Sequence, residues 1–213
     1  AVNDLLEQTL LLARPDYGWL SEETEDGTIR LGHERVFIVD PIDGTRSFTE
    51  GADTWAHAIA VAERGQITAA VIYLPLRGLL YTAARGAGAF LNGAPIRASG
   101  VASFDQATVL SAKPALAGNN WCAGACPTFK TAYRPSLAYR LGLVAQGRFD
   151  AMLTLRPAWE WDIAAGALIA REAGASVTDR HGQPLRFNSP ARQTPGAVVT
   201  APGIHAAMID ALV

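Results

Sequence analysis

The chain has 213 residues, 49% of them hydrophobic, enough to bury a core as one large or two small domains, which excludes disorder along its whole length. With 18 Lys and Arg against 20 Asp and Glu, the formal charge of -2 offers no electrostatic grip on a nucleic-acid polymer, so a small partner is expected. No apolar run reaches the roughly 20 residues that span a bilayer, and Cys122 and Cys126 form neither a disulfide framework nor a zinc site; a soluble protein of the reducing cytoplasm is expected.

Val2, Leu5, Leu6, Leu10 and Leu12 space an opening helix over Ala1–Ala13. It starts without a capping residue or a methionine, so further chain is expected upstream. Arg14-Pro15-Asp16-Tyr17-Gly18 carries turn chemistry, and Trp19-Leu20 steps into the acidic stretch Ser21–Gly27. Val36-Phe37-Ile38-Val39 predicts a buried strand that ends at Asp40-Pro41, where the carboxylates begin. Trp55–Ala62, Ile67–Tyr73, Gly78–Ala83 and Gly88–Leu91 predict an antiparallel meander, with a strong turn at Asn92-Gly93.

The segment Lys113–Pro135 lacks periodicity and reads as mostly loop, long enough to cover a site. Ser136–Gln146 predicts a helix ended by Gly147, and Asp162–Ala173 a second closed by Gly174. Strands dominate the first half, and helices alternate with strands in the second. A two-lobed unit follows, with residues 1–110 as an α+β lobe carrying the acidic motifs and 111–213 as an α/β lobe completing the site.

Asp40-Pro41-Ile42-Asp43-Gly44-Thr45 holds two carboxylates three residues apart with a stiff proline between them. A hard cation such as Mg²⁺ takes oxygen ligands in near-octahedral array, and two fixed carboxylates with the Ile42 carbonyl suit it. Gly44 lets the backbone approach a ligand, and a helix opening at Thr45 would present amides to phosphate oxygens. Trp161-Asp162-Ile163 adds an acid at the first turn of a small-residue helix. The competing reading makes Asp43 and Asp162 helix caps and nothing more.

Val39–Phe48, preceded by Leu20-Ser21-Glu22-Glu23-Thr24 and followed by Trp161–Gly166 with Glu172-Ala173-Gly174, resembles the inositol monophosphatase family from the opening helix to about Asn188. The resemblance implies an α/β, five-layer α-β-α-β-α sandwich and a lithium-sensitive, Mg²⁺-dependent phosphatase acting on a small phosphorylated metabolite, with two or three ions and a homodimeric assembly. Carried over by position, Glu22, Asp40 and the Ile42 carbonyl hold one ion, and Asp40, Asp43 and Asp162 hold a second. Glu22, Thr45 and Asp43 take catalytic roles, with Glu22 and Thr45 orienting the attacking water; Gly44, Thr45, Arg46, Ser136 and Asp162 meet the substrate. A further family aspartate falls, by spacing, just before Ala1.

Members that favour inositol phosphates carry a glutamate seven residues before the Trp-Asp aspartate; here that position is Leu155, whose side chain accepts no hydrogen bond. The 3'(2'),5'-bisphosphate nucleotidase branch therefore leads, with Arg46 reaching for a second phosphate. Inositol-1-monophosphatase and histidinol-phosphatase are the alternatives, and a non-catalytic phosphatase-like binding or regulatory protein is the rival of another class. His33, His57, His181 and His205 are scattered and read as structural or exposed, Glu160 as solvated with a substrate amine or hydroxyl as the alternative, and Trp159 and Trp161 as core or rim residues, with one lining the site as the alternative.

Overall fold

The opening periodicity forms helix α1 (Val2–Ala13) in the computed structural model, which describes residues 1–213. Strands β1 (Gly18–Ser21) and β2 (Arg35–Asp43) pair in parallel, and the short helix α2 (Thr45–Thr49) follows. The expected meander is β3 (Ala56–Glu63), β4 (Gln66–Leu74), β5 (Leu79–Ala84) and β6 (Ala89–Leu91), each antiparallel to its predecessor. Asn92-Gly93, both at positive φ, turns the chain into a short β7 (Ala94–Pro95). These seven strands make one sheet in chain order.

The second half supplies β8 (Thr108–Ser111), β9 (Lys130–Ala132), helix α3 (Leu137–Ala145), β10 (Ala151–Thr154) and β11 (Ala158–Trp159). Helix α4 (Glu160–Glu172), β12 (Ser176–Thr178), β13 (Gln193–Thr194), β14 (Ala197–Thr200) and helix α5 (Pro202–Ala211) complete it. Five strands join in the order β12-β14-β10-β8-β9, while β11 and β13 form a separate ribbon. Helices α3 and α4 lie between the sheets, α4 packing on β3, β4 and β5 on one side and on β12 and β14 on the other. With α1 against β2 and α5 against β14, the layers follow the α-β-α-β-α order that the sequence resemblance implies.

Small residues make this middle layer thin. Strand β3 turns Ala56, Ala58, Ala60 and Ala62 inward, and α4 answers with Ala164, Ala165 and Ala167, all in the main core, and with buried Gly166. A Cβ at Gly166 would stand 2.3 Å from Leu141 Cδ1 of α3, so the two helices touch nearly backbone to side chain there. Two expectations change. Strand β2 does not end at Val39 but runs to Asp43, and the loop over 113–135 contains the edge strand β9, whose two exposed residues show no apolar alternation. No helix is long and apolar enough to cross a membrane.

Candidate active site

Asp40 and Asp43 are three residues apart on β2, a spacing that in a regular strand sends side chains to opposite faces. The pairing with β3 slips between them: Asp40 faces Ala58 and Asp43 faces Ala56, so three steps on β2 match two on β3. The extra residue at Pro41-Ile42 is a bulge, and it restores both acids to one side. Pro41 is tolerated there because a bulge leaves a position out of the ladder, and its carbonyl lies 2.5 Å from His57 Nδ1. The Ile42 amide donates to Asp40 Oδ1 at 2.9 Å, and Thr45 Oγ1 donates to the Ile42 carbonyl at 3.2 Å, leaving that oxygen a second lone pair. The acids thus lie within the strand and not after it.

Asp43 is buried and reaches across to the start of α3. Its carboxylate accepts from the Ser136 hydroxyl, from the Ala138 amide at 2.7 Å and from the Leu137 amide at 3.4 Å. Ser136 in turn caps α3 by accepting from the Tyr139 amide at 2.9 Å. Capping by Asp43 is therefore real, but it serves a helix more than ninety residues away, while α2, directly after Gly44, has no side-chain cap. Gly44 has φ +89°, and a Cβ on it would come within 3.3 Å of Ser136 Cβ, so this joint admits glycine on both counts.

Asp162 stands in the first turn of α4, which packs against α3. The partly positive N-terminal ends of two helices therefore face the acids. One carboxylate oxygen from each of Asp40, Asp43 and Asp162 lies within 4.8 Å of the others. Glu22, just past β1, adds its charge to Asp40 from a more exposed position. Its segment is tied to α1, where buried Asn3 accepts from Ser21 Oγ at 2.7 Å and donates to Thr24 Oγ1 at 3.0 Å.

Burial, with the charges of Asp43, Glu22 and Asp162, pushes Asp40 up to about 10; burial, then Asp43 and Glu22, pushes Asp162 up to about 8. Burial also raises Asp43 and Glu22. None of the four forms an ion pair with a lysine, arginine or histidine. Acids crowded this way are costly unless protonated or joined by a cation, and a hard divalent ion with oxygen ligands fits the donor set.

A cavity of about 730 Å³ opens beside Asp43 and Asp162; its lining includes Ala112, Pro114, Asn119, Tyr133 and Leu155 and three arginines, Arg140, Arg156 and Arg180. Several sequence expectations fall outside it. Arg46 projects from α2 with its side chain 88% exposed, 3.7 Å from Glu50, and does not line the cavity. Ser136, expected to meet the substrate, is fully buried with its hydroxyl committed to Asp43 and Tyr139. Glu160, expected to be solvated, is fully buried and accepts from the Asn188 and Ser189 amides at 2.6 and 2.9 Å. Trp159 stacks on Trp161 at 4.9 Å, and neither lines the cavity. The cavity arginines went unread, although one signal existed: Arg140 occupies the apolar stripe Leu137, Leu141, Val144 of α3.

A model of the inositol monophosphatase family matches residues 1–212. An inositol-1-monophosphatase of Rhizobium meliloti is 36% identical over 201 residues, covering 87% of this chain and 72% of that protein. A 3'-phosphoadenosine 5'-phosphate phosphatase of Mycobacterium bovis is 36% identical over 196 residues, covering 87% of this chain and 69% of that protein. Among solved structures, the extragenic suppressor protein suhB of Bartonella henselae superposes with a TM-score of 0.80 at 30% identity, over 97% of this chain and 84% of that one.

Proposed function

The chain belongs to the inositol monophosphatase family, metal-dependent phosphatases of small phosphorylated substrates, and on that premise we propose a Mg²⁺-dependent phosphomonoesterase centred on Asp40. The convergence of Asp40, Asp43 and Asp162 within 4.8 Å, with no cationic side chain paired to them, is the observation that supports it most. Glu22, Asp40 and the Ile42 carbonyl would hold one Mg²⁺, and Asp40, Asp43 and Asp162 another, with room in the family scheme for a third. Bound ions neutralise the phosphate and lower the pKa of water.

The chain's own groups do the rest. Glu22 accepts the proton of the attacking water, directly or through another water, and the Thr45 hydroxyl, fixed on the Ile42 carbonyl, orients that water. Gly44 and Thr45 offer backbone amides to the phosphate oxygens, and Asp162 faces the leaving group in the cavity. Asp43 is held for its task by Ser136, which positions it and does not touch substrate.

For the substrate, a 3'(2'),5'-bisphosphate nucleotide is the finer reading. Leu155 lines the cavity where a polyol would want an acceptor, and a leucine side chain there gives a polyol hydroxyl no partner, so the site loses its discrimination in favour of inositol phosphates. Inositol 1-phosphate is the second reading, favoured by the name of the Rhizobium relative. A cytoplasmic homodimer completes the proposal.

The test is phosphate release from adenosine 3',5'-bisphosphate, inositol 1-phosphate, histidinol phosphate and p-nitrophenyl phosphate, with Mg²⁺ present and after chelation. Asp43→Asn should lose Mg²⁺-dependent turnover by about 100-fold or more, the scale of a disabled metal or electrostatic group. Unchanged turnover would remove Asp43 from the site. A parent protein that hydrolyses nothing and binds no Mg²⁺ would leave the non-catalytic rival standing.

A further inference from the structure

Beside the acids the cavity wall is cationic, and Arg140 feels the charge of Asp43 and Arg156 that of Asp162 without an ion pair forming. Arg140, 5% exposed, donates to the backbone carbonyls of Arg134 and Pro135, and Arg180 donates to the Leu155 carbonyl at 2.8 Å and to the main-chain oxygen of Val213, the last residue, at 3.1 Å. Carbonyl oxygens orient a guanidinium group without cancelling its charge. Arg180 Nε is buried with no partner, and exposed Arg156 lies near enough to Arg140 for each charge to disfavour the other. No side-chain carboxylate pairs with any of the three, and Asp43 and Asp162 are the only acidic side chains on the lining. Once those two acids are matched by cations, Arg140 and Arg156 have no side-chain counter-charge left, and Arg180 lines the same wall.

We propose that Arg140, Arg156 and Arg180 form a second anion subsite that selects phosphate monoesters whose leaving group carries another phosphate or a carboxylate. This rests on the phosphatase reading of the acid cluster. Arg46, which points to solvent, has no part in it. A planar guanidinium fork matches either anion, so the two sources must be separated by experiment.

With Mg²⁺ present, kcat/KM is compared within two pairs: adenosine 3',5'-bisphosphate against adenosine 3'-monophosphate, and 3-phosphoglycerate against glycerol 3-phosphate. An advantage of about tenfold or more, the scale of one charge-assisted hydrogen bond, is expected in at least one pair; the first assigns phosphate and the second carboxylate. Arg156→Glu should erase that advantage and Arg156→Lys should recover part of it. No advantage in either pair, or one that Arg156→Glu leaves intact, overturns the subsite. If p-nitrophenyl phosphate and all four esters stay uncleaved, it is the phosphatase reading that fails. Calorimetric binding of adenosine 3',5'-bisphosphate with Mg²⁺ then decides the subsite, which stands if Arg156→Glu weakens binding about tenfold and falls if it does not.

Discussion

Asp40 sits against Asp43, Glu22 and Asp162 in a buried pocket, and in the cation-free protein its carboxyl group is driven up to about 10 by burial and by those neighbours. Asp40→Asn keeps an oxygen to accept from the Ile42 amide while removing a charge the pocket disfavours. The variant should lose Mg²⁺-dependent phosphate release by about 100-fold or more. Its Tm without metal should nonetheless rise by about 2–4 °C, which corresponds to ~1 kcal/mol in a chain of this size. Calorimetry with chelator and a phosphate assay with Mg²⁺ check the two halves; a fall in both would mean that Asp40 serves packing alone. The four acids were legible because three separate motifs carry them. The tasks of Ser136 and Glu160 were not, because each is set by a partner distant in the chain: Asp43 for the first, Asn188 and Ser189 for the second.

The joint between α3 and α4 governs the site from one level up, since α3 holds Asp43 by its first turn and α4 carries Asp162. Gly166→Ala places a methyl group 2.3 Å from Leu141 Cδ1, and overpacking of this kind costs about 1–3 kcal/mol. The urea midpoint should drop with an unchanged slope, and kcat should fall further than the folded fraction does, because separating the helices moves two acids apart. Activity that tracks the folded fraction alone would show that the joint is only structural. Both helices were readable from apolar spacing and their glycine stops. The bulge at Pro41-Ile42 was not, because it exists only in the register between β2 and β3, and β9 was not, because an edge strand with one half-buried face lacks the alternation of a central one.

Across the whole molecule, proton and metal binding are linked to stability. In the cation-free fold Asp162 titrates at about 8 and Asp40 at about 10, against an ordinary 3.8, so above pH 3.8 the folded chain holds more protons than the unfolded one. The penalty is absent below that pH and grows as the pH rises toward 8. The Tm in chelator should therefore decline between about pH 5 and 8, and Mg²⁺ should restore it most at the upper end, where fewer protons must be displaced. A Tm indifferent to Mg²⁺ at pH 8 would contradict a cation-binding cluster. The layered architecture was legible from the order of strands and helices, whereas the cationic cavity wall was not, because its arginines come from three separated stretches of the second half. The wide spacing of the acids also sets a timetable for biosynthesis. The Asp40 and Asp43 bulge leaves the ribosome more than a hundred residues before Asp162, so a growing chain carries an unfinished set of ligands until α4 has been made and docked. On the metal-binding reading proposed above, the complete ligand set awaits synthesis of the middle layer, and loading of the ion follows it.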